Sequence, residues 1–310
     1  MDVMPYLSIV VPLYNESSNV GKLLECLHEE LNVLDVNFEV VLVDDGSRDN
    51  TWEIVRGIKN KYPYIRGFRL ARNFGHQHAL LAGLSMAKGQ AIISMDGDLQ
   101  HPPSMIRVLL EKHREGALIV NTQRDDVEVS SFFKRTTSSL FYRVFSFLTD
   151  VEMNQGSSDF RLLDRKVLNE LLKLNDVDLF LRGAVEWLGY RSVVVPYKAA
   201  ERFSGDSKYT LNKMIKFAKG SIISFSTKPL LIGIGLGVAT SFLAFVELIY
   251  VIVQTLRGEI VPGWASTVGI ISFLFGILFI VLGIIGAYLA RIHVSLQNRP
   301  RYLIQDETEN

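Results

Sequence analysis

Two aspartates separated by one glycine, Asp96 and Asp98 in Met95-Asp96-Gly97-Asp98-Leu99-Gln100, follow directly on a short apolar run. A turn at this point lets both carboxylates address the same space, and Gln100 adds a neutral oxygen. Hard oxygen ligands on a loop suit Mg2+ or Mn2+, cations that keep part of their water and also bind diphosphate oxygens. Asp-x-Asp pairs cap helices too, so the chemistry rests on where the pair stands. A second motif, Val43-Asp44-Asp45-Gly46-Ser47, offers a carboxylate to a base N–H or a ribose hydroxyl; an Asp-Gly turn with a cap at Ser47 or Asp49 is the plainer alternative. A third, Pro12-Leu13-Tyr14-Asn15-Glu16, combines a proline, an aromatic ring and polar groups suited to one wall of a nucleotide site. His76-Gln77-His78 invites a metal reading, but positions i and i+2 of a helix diverge. A helix-start or acceptor-site role remains. His101, beside the acidic loop, is a candidate for a diphosphate contact.

Regular elements must position these groups. LSIVV (7–11), FEVVLV (38–43), IRGFRL (65–70), AIISM (91–95) and ALIV (117–120) are short, β-branched and bounded by turn residues, and read as strands. Residues 18–34, 50–62, 76–88 and 103–115 read as helices, with Ser17, Asp49 and Pro103 at cap or first-turn positions. This alternation predicts an α/β fold, a mostly parallel sheet with helices on both faces. Ligands of such sheets bind beyond the carboxyl ends of the strands. All three motifs follow a predicted strand and so fall on that edge.

The rest of the chain points to a membrane. The 310 residues carry 33 basic and 33 acidic side chains, so bulk charge gives no argument for nucleic acid. The single cysteine, Cys26, excludes an intrachain disulfide and a cysteine metal site. The N-terminal apolar run is too short and too quickly polar for a secretory signal, so Asn15-Glu16-Ser17 carries no glycan if this half stays in the cytosol. Residues 131–151 set Phe132, Phe133, Phe141 and Phe145 at helical spacing beside Lys134, Arg135 and Arg143, as in a basic helix at a membrane surface. A core-packing helix is the alternative. Residues 191–197 (RSVVVPY) read as a strand, and 211–228, with Lys213, Lys216 and Lys219, as a second interfacial helix. Residues 229–256 and 264–290 each exceed the ~20 apolar residues needed to cross hydrocarbon, and the connector RGEIVPGW makes them an antiparallel hairpin. Lysines precede the hairpin and Arg291, Arg299 and Arg301 follow it, which predicts a cytoplasmic α/β domain (1–210) and a cytoplasmic tail (291–310). Glu247 is an acid well inside a span, placed to snorkel or to meet a partner helix. With the small-residue faces it leaves room for a homo-oligomer. Gly233-Ile234-Gly235-Leu236-Gly237 lacks the strand that a dinucleotide fingerprint requires, and helix packing explains it better.

VVPLYNE, VDDGSRDNT, RNFGHQHALLAGLSMAKG and ISMDGDLQHPP, in this order and spacing, resemble family 2 glycosyltransferases of the GT-A fold. SSDFRLLDR and RFSGDSKY resemble the polyprenyl-phosphate glycosyltransferases, the group of the bacterial GtrB-type proteins and dolichol-phosphate mannose synthase. Arg72-Asn73-Phe74-Gly75 and the two-helix tail favour the bacterial glucosyl branch. The resemblance covers about residues 5–300. It implies that Pro12, Tyr14, Glu16 and Asp44 line the nucleoside site, with Asp44 on the base. It implies that Asp96, Asp98 and Gln100 hold Mg2+ or Mn2+ and the donor diphosphate. Asp159 falls at the position usually assigned to the catalytic base, and Arg124, Arg202 and Lys208 would contact phosphates. Arg202, counted with Asp98 and Asp159 as catalytic, lies in a Gly- and Ser-containing loop able to close over bound donor. The implied reaction is inverting transfer of one hexose, glucose from UDP-glucose as first choice, to a polyprenyl phosphate at the cytoplasmic membrane face. A phosphate monoester is largely dianionic at pH 7, so Asp159 matters less as a proton acceptor than it would for a sugar hydroxyl. A processive polysaccharide synthase is the enzymatic rival, but no Gln-x-x-Arg-Trp motif is present. An inactive membrane scaffold that binds nucleotide sugars is disfavoured by the intact acidic loop, Asp159 and Arg202.

Overall fold

The computed structural model describes residues 4–125, 157–174, 180–198, 226–258 and 263–308. The interfacial helix expected over 131–151, most of that expected over 211–228, and the loop with Arg202 and Lys208 lie outside the described residues. The first half alternates as the pattern predicts: β1 (Leu7–Leu13), α1 (Val20–Asn32), β2 (Phe38–Asp44), α2 (Thr51–Ile58), β3 (Ile65–Leu70), α3 (His76–Met86), β4 (Ala91–Ser94), α4 (Met105–Arg114) and β5 (Ile119–Arg124). There follow β6 (Ser157–Asp164), α5 (Arg165–Lys173), α6 (Leu181–Trp187), β7 (Ser192–Tyr197), α7 (Lys228–Leu256), α8 (Trp264–Leu296) and β8 (Ile304–Glu307).

The eight strands form one sheet in the order β7-β5-β6-β4-β1-β2-β3-β8. The period of two sorts each strand onto two cores. Leu7, Ile9, Val11, Val40, Leu42 and Ile93 pack with Leu23, Leu27, Trp52 and Leu109 of α1, α2 and α4. Val10, Val41, Val43 and Ile92 pack on the other face with Leu81 and Leu84 of α3 and Val167 and Leu168 of α5. Every residue of β1 is buried, as a parallel strand covered on both sides must be.

The sheet is more mixed than alternation alone predicts. β1·β2, β1·β4, β2·β3 and β5·β7 are parallel, whereas β4·β6, β5·β6 and β3·β8 are antiparallel. The antiparallel β6 matters most. Its register sets Arg161 opposite Ser94, so the start of β6 lies beside the carboxyl end of β4. That turn of direction carries Asp159 to the edge where the acidic loop emerges. The tail is also a strand rather than a simple extension: Gly67 N–H donates to Thr308 Oγ1 at 3.0 Å, Ala71 N–H to Leu303 O at 2.8 Å, and Tyr302 Oη meets Ser85 Oγ at 2.6 Å.

The hairpin is a separate unit. Lys228–Gln254 (27 residues, mean hydropathy 2.2) and Gly269–Leu296 (28 residues, mean hydropathy 2.8) are long and apolar enough to cross a membrane. At ~1.5 Å per residue each exceeds a ~30 Å hydrocarbon core. A Cβ on Gly233 would sit 3.6 Å from Val281, so this glycine faces the neighbouring helix, while Gly235 and Gly237 face open space. The packing explanation therefore applies to the first glycine of the three.

Asp164 joins β6 to α5 and caps the helix. Its Oδ1 accepts from Lys166 N–H at 2.8 Å; its Oδ2 accepts from Gln90 Nε2 at 2.9 Å and meets His113 Nε2 at 2.9 Å. Burial pushes this carboxyl up, but the bonds from His113, Lys166 and Gln90 outweigh it and hold the group below its ordinary value. Its contribution is therefore complete above the unfolded value of ~3.9 and fades as pH falls through the folded one. Asp164→Asn should cost about 1–2 kcal/mol at pH 7. The gap in thermal unfolding midpoint should narrow from pH 7 towards pH 3. A gap that stays constant across that range would show that the charge contributes nothing.

Candidate active site

Because β1, β2 and β4 are parallel, the loops after them share one edge. The first two are laced together. Asn15, held at φ 52°, donates its N–H to Ser47 Oγ at 2.9 Å and accepts at Oδ1 from Arg48 N–H at 2.9 Å. Glu16 N–H donates to Thr51 Oγ1 at 2.9 Å and Ser17 N–H to Asp49 Oδ2 at 3.1 Å. Tyr14 and Glu16 are half-buried there, while Pro12 is buried within β1. Asp44 is fully buried. Its Oδ1 accepts from Ser47 N–H at 3.1 Å, and its Oδ2 lies 3.3 Å from Arg69 Nε without a hydrogen bond among the described residues. Burial pushes the Asp44 carboxyl up. Asp45 does different work, accepting from Phe74 N–H at 2.7 Å, Gly75 N–H at 2.9 Å and Asn73 Nδ2 at 2.9 Å. It thus fixes the entry to α3. Gly46, at φ 64°, lies so close to Arg72 that a Cβ would come within 2.5 Å of its carbonyl carbon. The Asp-Asp-Gly-Ser segment is therefore a bracket for Arg72–Gly75 as well as a turn.

The acidic loop is equally constrained. Gly97 passes over β1, where a Cβ would meet Leu13 Cδ2 at 2.6 Å. Leu99 takes the left-handed conformation at φ 63°, uncommon for a side chain of this size. Asp96 N–H donates to His101 Nδ1 at 2.9 Å. That nitrogen must be an acceptor, which places the ring proton on Nε2, 3.1 Å from Ser158 Oγ. His101 is buried, stacked on Phe160 at 4.8 Å, and burial pushes it towards the neutral form. Its ring props the loop. Asp98 Oδ1 accepts from Gln100 N–H at 3.2 Å, and Gln100 Oε1 accepts from Arg124 Nη1 at 3.4 Å. The sequence-predicted Asp96, Asp98, Gln100 and Arg124 thus come together.

The carboxylates of Asp96 and Asp98 stay partly open. Among the described residues no three or more His, Cys, Asp or Glu side chains form a cage. Mg2+ and Mn2+ sites that complete their shell with water and substrate phosphates need only one or two carboxylates. The donors present fit such an ion and fit a closed structural site poorly.

Asp159, 5% exposed, stands at the start of β6 within a cluster of donors. Arg182 grips it with both arms, Nε to Oδ1 at 2.8 Å and Nη2 to Oδ2 at 2.9 Å. Gln77 Nε2 donates to Oδ2 at 3.0 Å, and Gln77 Oε1 accepts from Leu181 N–H at 3.1 Å, which ties the first turn of α3 to that of α6. His76 Nε2 lies 3.6 Å from Asp159 Oδ2 and 3.5 Å from Asp96 Oδ1. Burial pushes Asp159 up, but Arg182 and His76 outweigh it and hold the carboxyl well below the usual range. Burial pulls His76 down, and the carboxylates of Asp159 and Asp96 overcome this, pushing it up to about 9. Beneath, Arg161 is buried with Nη2 on Ser158 O at 2.9 Å and 4.0 Å from Asp159 Oδ1. Sequence reasoning missed Arg182. Its one signal is a lone cation among Leu181, Ala184 and Val185, the buried positions of a short apolar helix.

The loop's dependence on His101 is testable. His101→Phe keeps the stack on Phe160 but leaves Asp96 N–H without its acceptor. It should lower stability by about 1–3 kcal/mol, the cost of an unsatisfied buried donor, read as the thermal unfolding midpoint. Parental stability would show that the loop does not hang on this bond.

A family model described as glycosyl transferase family 2 matches residues 8–172. An uncharacterized glycosyltransferase of Bacillus subtilis, YkcC, is 37% identical over 299 residues, covering 96% of this chain and 93% of its own length. The SfII prophage-derived bactoprenol glucosyl transferase of Shigella flexneri is 34% identical over 300 residues, covering 96% of this chain and 97% of its own. Among solved structures, the mannosyltransferase PcManGT from Pyrobaculum calidifontis, in complex with GDP-Man and Mn2+, is 19% identical, covers 72% of this chain and 64% of its own, and has a TM-score of 0.49. The likeness to the two bacterial relatives runs almost from end to end, the carboxyl-edge site lies inside it, and the chain belongs to glycosyl transferase family 2 as a glycosyltransferase.

Proposed function

We propose that this glycosyltransferase moves a single hexose, glucose from UDP-glucose as first choice, onto a polyprenyl phosphate at the cytoplasmic face of a membrane, with inversion. The observation that carries the reading is the acidic loop of Asp96 and Asp98 set beside the cationic cluster around Asp159, on a chain with two apolar helices long enough to span. The full-length likeness to a bactoprenol glucosyl transferase supports the acceptor.

On the donor side, Asp96 and Asp98, with Gln100, would hold Mg2+ or Mn2+. Such an ion, when bound, neutralises charge that develops on the leaving diphosphate. Asp44 presents a buried acceptor, Oδ2, suited to a base N–H. Pro12, Tyr14 and Glu16, at and after the end of β1, would line the same wall, and Arg124 at the end of β5 would contact a phosphate. Arg202 and Lys208 belong to the same proposal as phosphate contacts from the loop. An acceptor phosphate oxygen forms a bond to the anomeric carbon from the face opposite the diphosphate. The bond from that carbon to the diphosphate oxygen breaks, and its electron pair leaves with the nucleoside diphosphate.

The membrane side of the reading is supported by connectivity. The chain leaves the sheet, forms the hairpin, and returns to the sheet as β8. Two crossings put both ends of the hairpin on one face. The basic residues that flank it, Lys213, Lys216 and Lys219 before and Arg291, Arg299 and Arg301 after, favour the cytoplasmic side for that face.

A panel of sugar nucleotides, incubated with membranes, polyprenyl phosphate and Mn2+ or Mg2+, should give label in the lipid fraction from UDP-glucose. EDTA should abolish transfer, and excess cation should restore it. Asp98→Asn should lower the rate by ~100-fold or more, since such an ion is worth several kcal/mol of charge stabilisation. Release of free UDP without a lipid product would sink the acceptor assignment, and full activity in EDTA would sink the metal.

A further inference from the structure

Telling one base from another takes more than a single hydrogen bond. Asp44 and Arg69 are register partners at the carboxyl ends of β2 and β3. The two strands run parallel, about 4.8 Å apart, so the paired side chains leave the sheet on the same face. Arg69 Nε lies 3.3 Å from Asp44 Oδ2. The two groups do not close a hydrogen bond, and Oδ2 is buried without a partner among the described residues. Among the same residues Arg69 makes one hydrogen bond, Nη2 to Ser47 O at 3.2 Å, and 26% of its side chain is open. A buried carboxylate oxygen without a donor is strongly disfavoured, and a pair built only for stability would close the bond.

The pair presents an acceptor and a cationic donor side by side. Its complement is an N–H next to a C=O. Uracil carries that edge at N3–H, with a carbonyl on either side. Guanine carries it at N1–H and C6=O. Cytosine reverses it: N3 is a bare lone pair, and the neighbouring C4 bears an amine. Held by the same ribose and diphosphate, cytosine would set its lone pair against Oδ2 and its amine against a guanidinium. A site built to bond an N–H rejects a base that lacks it, because buried polar groups are then left unpaired. Oδ1 of Asp44 already accepts from Ser47 N–H at 3.1 Å, so Oδ2 is the atom left for a ligand.

We infer that Arg69 is the second half of the base reader: Asp44 Oδ2 takes the base N–H, Arg69 donates to the carbonyl beside it, and the two together select uracil over cytosine in the donor nucleotide. This rests on the reading of the donor as a UDP-sugar with Asp44 on the base. A different role for Arg69 would be to balance the charge of Asp44 without touching the nucleotide. The two roles part in one respect. A prop serves every nucleotide alike, whereas a reader serves the base that carries the N–H and the carbonyl.

The test is calorimetric titration of the full chain, in detergent micelles with Mn2+, by UDP and by CDP. Wild type should hold UDP ~10-fold or more tighter than CDP. Arg69→Met should weaken UDP by ~10-fold or more, the worth of one charge-assisted bond, and leave CDP within about threefold of wild type. Arg69→Lys keeps the charge but not the planar fork, and should lower the preference for UDP by ~3-fold or more. An equal loss for both nucleotides in Arg69→Met, or no loss for UDP, would overturn the role of Arg69. If Arg69→Met fails to fold, Arg69→Lys decides, and a preference within about twofold of wild type overturns it. Asp44→Asn tests the underlying reading separately. Ser47 N–H keeps an oxygen at the Oδ1 position, so the amide sets its NH2 where Oδ2 stood. That variant should shift the preference towards CDP by ~10-fold or more. Wild type without a preference, or Asp44→Asn with the preference unchanged, removes the base from Asp44, and the role of Arg69 with it. A shift in Asp44→Asn with none in Arg69→Met leaves Asp44 on the base and removes Arg69 alone.

Discussion

The bidentate pair between Asp159 and Arg182 is the contact on which the site geometry depends. A carboxylate buried at the edge of a sheet is costly, several kcal/mol after relaxation, unless donors surround it. Here they come from two other elements: Arg182 from α6, Gln77 and His76 from the first turn of α3. One carboxylate therefore sets the relation between β6, α3 and α6. Removing either partner would leave the other charge in a half-dry pocket, a larger loss than the pair's net worth. The arrangement also explains why Asp159 stays ionised: its partners stabilise the charged form more than burial opposes it.

Topology decides which residues can join that pair. In a wholly parallel sheet, β6 would begin at the opposite edge and Asp159 would face away from the acidic loop. Its antiparallel insertion between β4 and β5 brings its first residues to the carboxyl end of β4. The same reversal places Ser158 under His101, and His101 under Asp96. The loop and the Asp159 cluster are thus coupled by a half-buried relay of hydrogen bonds as well as by His76.

Much of the acidic edge is legible in the sequence because its residues are local. Asp96, Asp98 and Gln100 fall within five positions after one strand, and Asp44 ends another, so strand periodicity alone puts them on one edge. What escapes is long-range neutralisation. Nothing in Ser157–Asp164 indicates that its aspartate is matched by an arginine 23 positions later, because residue type and period do not report which cation a fold brings to which anion. β8 escapes for another reason. Ile304–Glu307 is exposed at every position and polar after its first residue, so it carries no alternation, and it is held by backbone bonds to β3 instead of by burial. His101 stands between the two cases: its place beside the acidic loop is visible, but its burial under that loop follows only from β6.

β8 follows the second apolar helix in the chain and covers the β3 edge of the sheet. Without it β3 would be an open edge, a liability in any sheet. It arrives from α8 over a short stretch and pairs Asp306 opposite Arg69. Arg69 is the residue whose Nε lies 3.3 Å from Asp44 Oδ2 and whose Nη2 donates to Ser47 O at 3.2 Å. Backbone bonds that cover the β3 edge therefore also steady the side chain that balances Asp44. The segment that follows the second apolar helix is thereby a strand of the same sheet that carries Arg69 and Asp44.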